Sequence, residues 1–255
     1  MASEKPVAVL IIHGAYFLPS AWKNFGNHLT QAGLTVRCPH LPSCNDSQPP
    51  TSLLKDDLHA VRAAAKDLIA SNHKIIVLAH SYGGIVASEA ITPDLYSDRL
   101  GGSGVVSLIY LSAWLIVPGE SLQDIFARHG AQSEVDLGMH SDEVVFAKNA
   151  PESFYNDIER GEAEELAKKN VTHHWTVAMG KIGHAPWRDL PLAYVFCLRD
   201  KAILGPLQKA MVKDAVDAGG DGIVTDSIDS GHCPFLSKPG KFQRIIEGIV
   251  STVTK

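Results

Sequence analysis

The chain predicts an α/β protein built on a mostly parallel sheet, and three observations carry that reading. Unbroken aliphatic runs of strand length, Val7 to Ile12 and Ile75 to Ala79, suit strands covered on both faces, and Val105 to Leu111 reads as another buried strand. Segments between them place apolar residues three and four apart, the spacing of one helix face. The order strand, helix, strand, helix then specifies parallel pairing through right-handed crossovers. Composition agrees with a globular enzyme: 255 residues, 45% apolar and 20% charged. A net charge of −5 offers no basic surplus for phosphate backbones, so nucleic acid is not an expected partner.

After the first strand comes His13-Gly14-Ala15-Tyr16-Phe17, then Ser20, an expected helix N-cap. Trp22, Phe25, Leu29 and Ala32 give the first helix its face, and Gly33 stops it. Leu34 to Cys38 is a short strand, and Pro39 to Pro50 a proline-rich loop. Leu54, Leu58, Val61, Ala65 and Leu68 mark the clearest helix of the chain. It leads into the strand that ends at Ala79-His80-Ser81-Tyr82-Gly83-Gly84, and Ile85, Val86, Ala90 and Ile91 form a buried helix face behind it. From about 117 to 190 the texture changes to helical segments such as Ser121–Arg128 and Gly161–Lys169 between polar loops. This stretch reads as a helical lid over the carboxyl ends of the strands, where open α/β sheets bind ligands. Strands resume at Ala193 to Leu198 and, weaker and nearer the sheet edge, at Ile223 to Ile228. The expectation is one domain over 1–255, with its core in 1–116 and 191–255.

The stretch around Ser81 has the grammar of a nucleophile elbow: a buried strand, a serine between small residues, and a helix at once. The residues two places away, Ala79 and Gly83, must be small because the backbones nearly touch. Serine is a weak nucleophile and needs a base, and the base needs an orienting carboxylate. Asp200 and His232 lie where later strands end, in the order Ser, Asp, His. Alone, Asp200 reads equally as a cap for the helix near Ile203, and His232 as a surface histidine. Behind an elbow, the two together point to a triad, because parallel strand ends open on one edge. The backbone N–H groups of Tyr82 and Ala15 are the expected oxyanion donors. Gly14 lets its loop pass close to the substrate, and Trp114, Phe126, Trp175 and Trp187 are candidate pocket walls. His80 reads as packing beside the elbow. His173 and His174, being adjacent, point apart and suggest no metal site. No phosphate-binding glycine fingerprint follows the first strand, so no cofactor is expected.

Four segments carry a resemblance: Ile12-His13-Gly14-Ala15; the elbow from Ala79 to Gly84; Pro191 to Lys201; and Gly231-His232-Cys233-Pro234-Phe235-Leu236-Ser237-Lys238-Pro239. They resemble the α/β-hydrolase superfamily, in the lineage of plant methylesterases, hydroxynitrile lyases and related microbial esterases. The resemblance spans nearly the whole chain and is weakest across the lid. It implies Ser81 as nucleophile, His232 as base and Asp200 as its orienter, acting on small carboxylic esters or lactones in an apolar, lidded pocket. The related lyases follow the catalytic histidine with lysine and carry a hydroxyl-bearing residue in the oxyanion loop. Cys233 and Gly14 occupy those places here, which implies an esterase. The alternatives are a lyase or carbon–carbon hydrolase using the same triad, and a ligand receptor on a hydrolase fold. The N-terminus carries no signal-peptide pattern and no apolar run reaches membrane-spanning length. The four cysteines lack metal or redox spacing, so the expectation is a cytoplasmic protein with reduced thiols, to which a homodimer is open.

Overall fold

A computed structural model describes residues 5–45 and 50–253, with the side chain of Val253 outside that description. Residues 46–49 of the proline-rich loop also lie outside it. In chain order the elements are β1 (Val7–Ile12), α1 (Lys23–Gln31), β2 (Thr35–Arg37), β3 (Cys44–Asn45), α2 (Leu54–Ala70), β4 (Lys74–His80) and α3 (Gly83–Ala90). Then follow β5 (Gly104–Leu111), α4 (Leu122–His129), β6 (Leu137–Met139), β7 (Val144–Ala147), α5 (Ala150–Ser153), α6 (Arg160–Ala167) and β8 (Thr172–His174). The chain closes with β9 (Leu192–Cys197), α7 (Gly205–Asp217), β10 (Ile223–Ile228), α8 (Pro234–Ser237) and α9 (Pro239–Val253).

Six strands form one parallel sheet in the order β10-β9-β5-β4-β1-β2. Its apolar runs are long because both faces are covered. Ala8, Leu10 and Ile12 enter the core on one face, with Val61, Ile85 and Met211. Val9 and Ile11 enter the other, with Phe25, Phe242 and Ile246. Alternate side chains of a strand point to opposite faces, so burial on both sides favours apolar residues throughout, and the buried Ser107 of β5 is satisfied by donating to the Pro191 carbonyl at 3.1 Å. Each such buried aliphatic side chain contributes roughly 1.5–3 kcal/mol. At the sheet edge β10 is largely exposed, as its weaker pattern predicts. The turn into α1 differs in detail from expectation: a 3-10 turn over Pro19–Trp22 precedes it, and Ser20 caps nothing. Pro19 suits that first position, having no N–H to lose.

β1 pairs with β2 on one side and β4 on the other, so the chain reverses direction across the sheet between β1 and β4. Such a switch point leaves a crevice beyond the carboxyl ends of the strands. The segment 117–190 stands over that crevice. It contains α4, capped by Ser121, whose Oγ accepts from the Asp124 N–H, and closed by Gly130 at φ 57°. The purely helical lid is corrected by a second sheet, antiparallel, in the order β3-β8-β7-β6. Its strands hold two to four residues, too few to leave an alternation in the sequence, and β3 comes from the proline-rich loop. Among the described residues no helix is long and apolar enough to cross a membrane.

Candidate active site

β4 ends at His80 and α3 begins at Gly83, leaving two residues to reverse the chain. Ser81 takes φ 54°, a left-handed conformation that costs a non-glycine residue on the order of 1–3 kcal/mol. The turn is over-determined by what touches it. The Ser81 carbonyl accepts from the N–H groups of Gly84 (3.0 Å) and Trp114 (3.1 Å). A Cβ on Gly83 would overlap the Ile12 carbonyl, and one on Gly84 the Trp114 carbonyl, so neither position takes another residue. His80 is fully buried. Its Nε2–H donates to the His232 carbonyl at 3.0 Å, and its ring meets Trp22, Phe17 and Phe235 edge-on. Burial holds His80 well below the usual imidazole range, so it is neutral packing, as expected.

Asp200 follows β9 and His232 follows β10, and the two meet: His232 Nδ1 lies 2.8 Å from Asp200 Oδ2. A carboxylate can only accept, so Nδ1 carries the proton and Nε2 presents its lone pair. That Nε2 is buried and bonded to nothing among the described residues. Asp200 is 4% exposed, yet both oxygens are satisfied. Oδ1 accepts from the Ala202 N–H (2.7 Å) and the Ile203 N–H (3.0 Å), so Asp200 caps and orients at once. Oδ2 accepts from His232, from Ser112 Oγ and from Gln208 Nε2 (3.3 Å). Hydrogen bonds to a charged group are each worth about 1.5–3 kcal/mol, and here they fix a buried carboxylate without a buried cation.

Ser81 opens into a cavity of about 330 Å³ whose walls include Ala15, Tyr82, Trp114, Phe126 and Trp175. The N–H groups of Ala15 and Tyr82 donate to no backbone partner among the described residues, which leaves both available to an oxyanion. Behind Ala15, His13 Nδ1–H donates to the Gly14 carbonyl at 2.9 Å while Nε2 accepts from the Leu41 N–H at 3.2 Å. This holds the loop in place. Burial pushes the His13 imidazole down to about 4, so it remains neutral in that role.

Two expected pocket residues stand elsewhere. Gly14 does not line the cavity: its Cβ would come within 2.9 Å of Ser81 Cβ and 3.1 Å of His80 Nδ1. Glycine is needed there for the approach to the elbow, not to the substrate. Trp187 is 1% exposed and packs near Gly220, in the core cluster that holds Met211 and Ala215 of α7.

Several residues that shape the site gave no signal in the sequence. Asp57 lies on the buried face of α2 and accepts from Ser43 N–H (2.9 Å), Ser43 Oγ (2.6 Å) and Tyr82 Oη (2.7 Å). Burial holds its carboxyl above the usual carboxylate range. It tethers the residue after the elbow to the proline-rich loop. The charge at position 57 interrupts an apolar face by one place, a faint trace easily assigned to solvent. Ser112 at φ 40° and Gln208 secure Asp200 from β5 and α7, and only the fold brings them there. His173 also lines the cavity, next to Tyr16 and Tyr82.

A family model described as the alpha/beta hydrolase family matches residues 9–244. A probable hydrolase, R7, from Phoma sp. is 25% identical, over 93% of this chain and 96% of its own length. The alpha/beta hydrolase nvfD of Aspergillus novofumigatus is 29% identical, over 94% of each. Among solved structures, polyneuridine aldehyde esterase superposes with a TM-score of 0.76 at 16% identity, covering 96% of this chain and 100% of that one. The methylesterase MES16 of Arabidopsis gives 0.71 at 20% identity, covering 96% and 99%.

Proposed function

The chain belongs to the alpha/beta hydrolase family, and within it we propose a serine hydrolase that cleaves a small carboxylic ester or lactone through an acyl-serine intermediate. One observation carries this reading. His232 is pinned through Nδ1 by Asp200 and keeps a buried, unoccupied Nε2 lone pair, and its ring lies 5.7 Å from that of Phe154, a wall of the cavity that holds Ser81. A base with a fixed tautomer beside a serine on a strained turn suits acyl transfer.

In this mechanism His232 Nε2 takes the Ser81 proton as Oγ attacks the substrate carbonyl. The oxyanion accepts from the N–H groups of Ala15 and Tyr82, and Asp200 offsets the charge of the imidazolium. His232 then protonates the leaving alcohol as the tetrahedral intermediate collapses to the acyl-enzyme. Water enters, His232 removes its proton, and the second intermediate expels Ser81 with the proton returned to Oγ. The products are the alcohol and the acid, or a hydroxy acid from a lactone.

The cavity lies at the small end of the range for ligand sites and is walled largely by apolar groups, which favours compact acyl or alcohol parts. The esterases named above share the fold and lend the ester reading its precedent. Lyase chemistry on the same scaffold has less support. Burial pushes the Cys233 thiol well up, so the residue after His232 offers neither a cation nor a thiolate to departing cyanide. Four free cysteines, three of them buried, fit a reducing cytoplasm. The test is a panel of p-nitrophenyl, methyl and lactone substrates with mandelonitrile included and Ser81→Ala as the blank. Ester or lactone turnover that vanishes in the blank supports the proposal. Cyanide release exceeding ester hydrolysis would assign a lyase, and binding without turnover a receptor.

A further inference from the structure

Polar groups on the cavity wall are mostly provided for. Trp175 Nε1 donates to the Asp142 carbonyl at 3.2 Å, Tyr82 Oη donates to Asp57, and Gln123 and Ser133 are exposed to water. His173 differs. It is 2% exposed and lines the same cavity as Ser81, and its Nε2 is buried with no hydrogen-bond partner among the described residues. The residue is held firmly nonetheless. β8 fixes its backbone between Cys44 of β3 and Val145 of β7, and its ring lies 4.7 Å from that of Tyr82 and 5.6 Å from that of Tyr16. A buried polar group without a partner is destabilising, and exceptions in folded proteins call for a reason. Position supplies one here: the imidazole forms part of a ligand wall beside the nucleophile.

We propose that His173 is the substrate-recognition residue of this cavity, and that the substrate is a compact ester or lactone bearing a hydroxyl, alcoholic or phenolic, on the part that lies against Tyr16 and Tyr82. This deepens the hydrolase reading and rests on it. A neutral imidazole has one donor and one acceptor nitrogen, and a hydroxyl complements either, by accepting from N–H or donating to the lone pair. Burial pushes His173 down to about 3, so the ring is neutral and a carboxylate or ammonium partner would be poorly matched. The surrounding rings favour an apolar body carrying that one group. Sites built to bond a substrate hydroxyl discriminate against the analogue lacking it, because the protein group is then left bare.

The experiment uses methyl esters of 3-phenylpropanoic acid and of its 2-hydroxy, 3-hydroxy and ring-hydroxylated forms. Turnover is measured with the wild type, and binding with Ser81→Ala, read from the fluorescence of Trp114 and Trp175. At least one hydroxylated member should exceed the parent by about ten-fold in kcat/KM and in affinity, the worth of one satisfied hydrogen bond. His173→Phe should abolish that ratio, and His173→Gln, which keeps a donor and an acceptor, should retain part of it. The binding arm needs no chemistry, so it separates the two ideas. A hydroxyl preference in binding without any ester turnover would sink the hydrolase and keep the recognition role. Equal affinity for hydroxylated and parent esters, or a ratio unchanged by both His173 variants, would overturn the recognition role and leave the hydrolase standing.

Discussion

The two sides of Ser81 are built on opposite terms. On the acid–base side Asp200 is saturated, with both oxygens accepting, and His232 is held at Nδ1 and by its own carbonyl through His80. On the cavity side the walls are largely apolar, and His173 Nε2 is buried with no partner among the described residues. Groups that must keep one geometry are surrounded by fixed donors, while a group that must meet a ligand is left open. Preorganisation and recognition thus sit a few side chains apart and can be broken separately.

Attacking the saturated side should have the largest effect. Ser81→Ala or His232→Ala should lower kcat by several orders of magnitude, and the double variant should cost little more, since the residues act as a unit. Asp200→Asn should lower kcat by about 10⁴, because an amide at that place favours the wrong histidine tautomer. Steady-state kinetics on one activated ester checks all three. Near-full activity in Asp200→Asn, with loss instead in variants of the exposed Asp226 or Asp229, would reassign the acid.

A smaller effect is expected one layer back, at the tether of the elbow. Tyr82→Phe strips one donor from buried Asp57 and should destabilise the fold by about 1–3 kcal/mol. For a chain of this size that is a fall in Tm of roughly 2–4 °C per kcal/mol, measurable by calorimetry. A rise in Tm would show that the tether is not a stabilising contact.

The gentlest probe is acid. His13 and His173 stand near 4 and 3 in the fold, and His80 is also lowered, against about 6.5 for an unfolded histidine. Between those values the unfolded chain binds more protons, so stability is fully present above pH 6.5 and is lost as the pH falls. The slope is up to about 1.4 kcal/mol per pH unit for each group. Asp57, raised by burial, works in the opposite sense, and three histidines outweigh it. Urea midpoints should therefore drop from pH 7 to pH 5, and the His173→Asn variant should drop less steeply. Midpoints that rise toward pH 5 would contradict the neutral burial of these rings.

The same contrast explains what could be read from the sequence. Strands covered on both faces must be largely apolar, so β1, β4 and β5 were legible, and the residues at their ends followed from topology. The strained turn at Ser81 required Gly83, which the sequence also displays. In the cap, β6, β7 and β8 are too short for a period to register, so an antiparallel sheet went unforeseen. Trp187 has the composition of a pocket wall, but only packing decides whether an indole faces a ligand or the core. His173 has no sequence pattern beyond its histidine neighbour. Its role as a cavity wall depends on β3 pairing across the fold, which no local pattern encodes.

The central claim is that Ser81 is the group acylated, and covalent capture tests it most directly. A fluorophosphonate incubated with the protein should add one adduct per chain, mapped by peptide mass to Ser81, absent in Ser81→Ala and strongly slowed in His232→Ala. An adduct on another serine, such as Ser43 or Ser112, together with ester hydrolysis that survives Ser81→Ala, would contradict it.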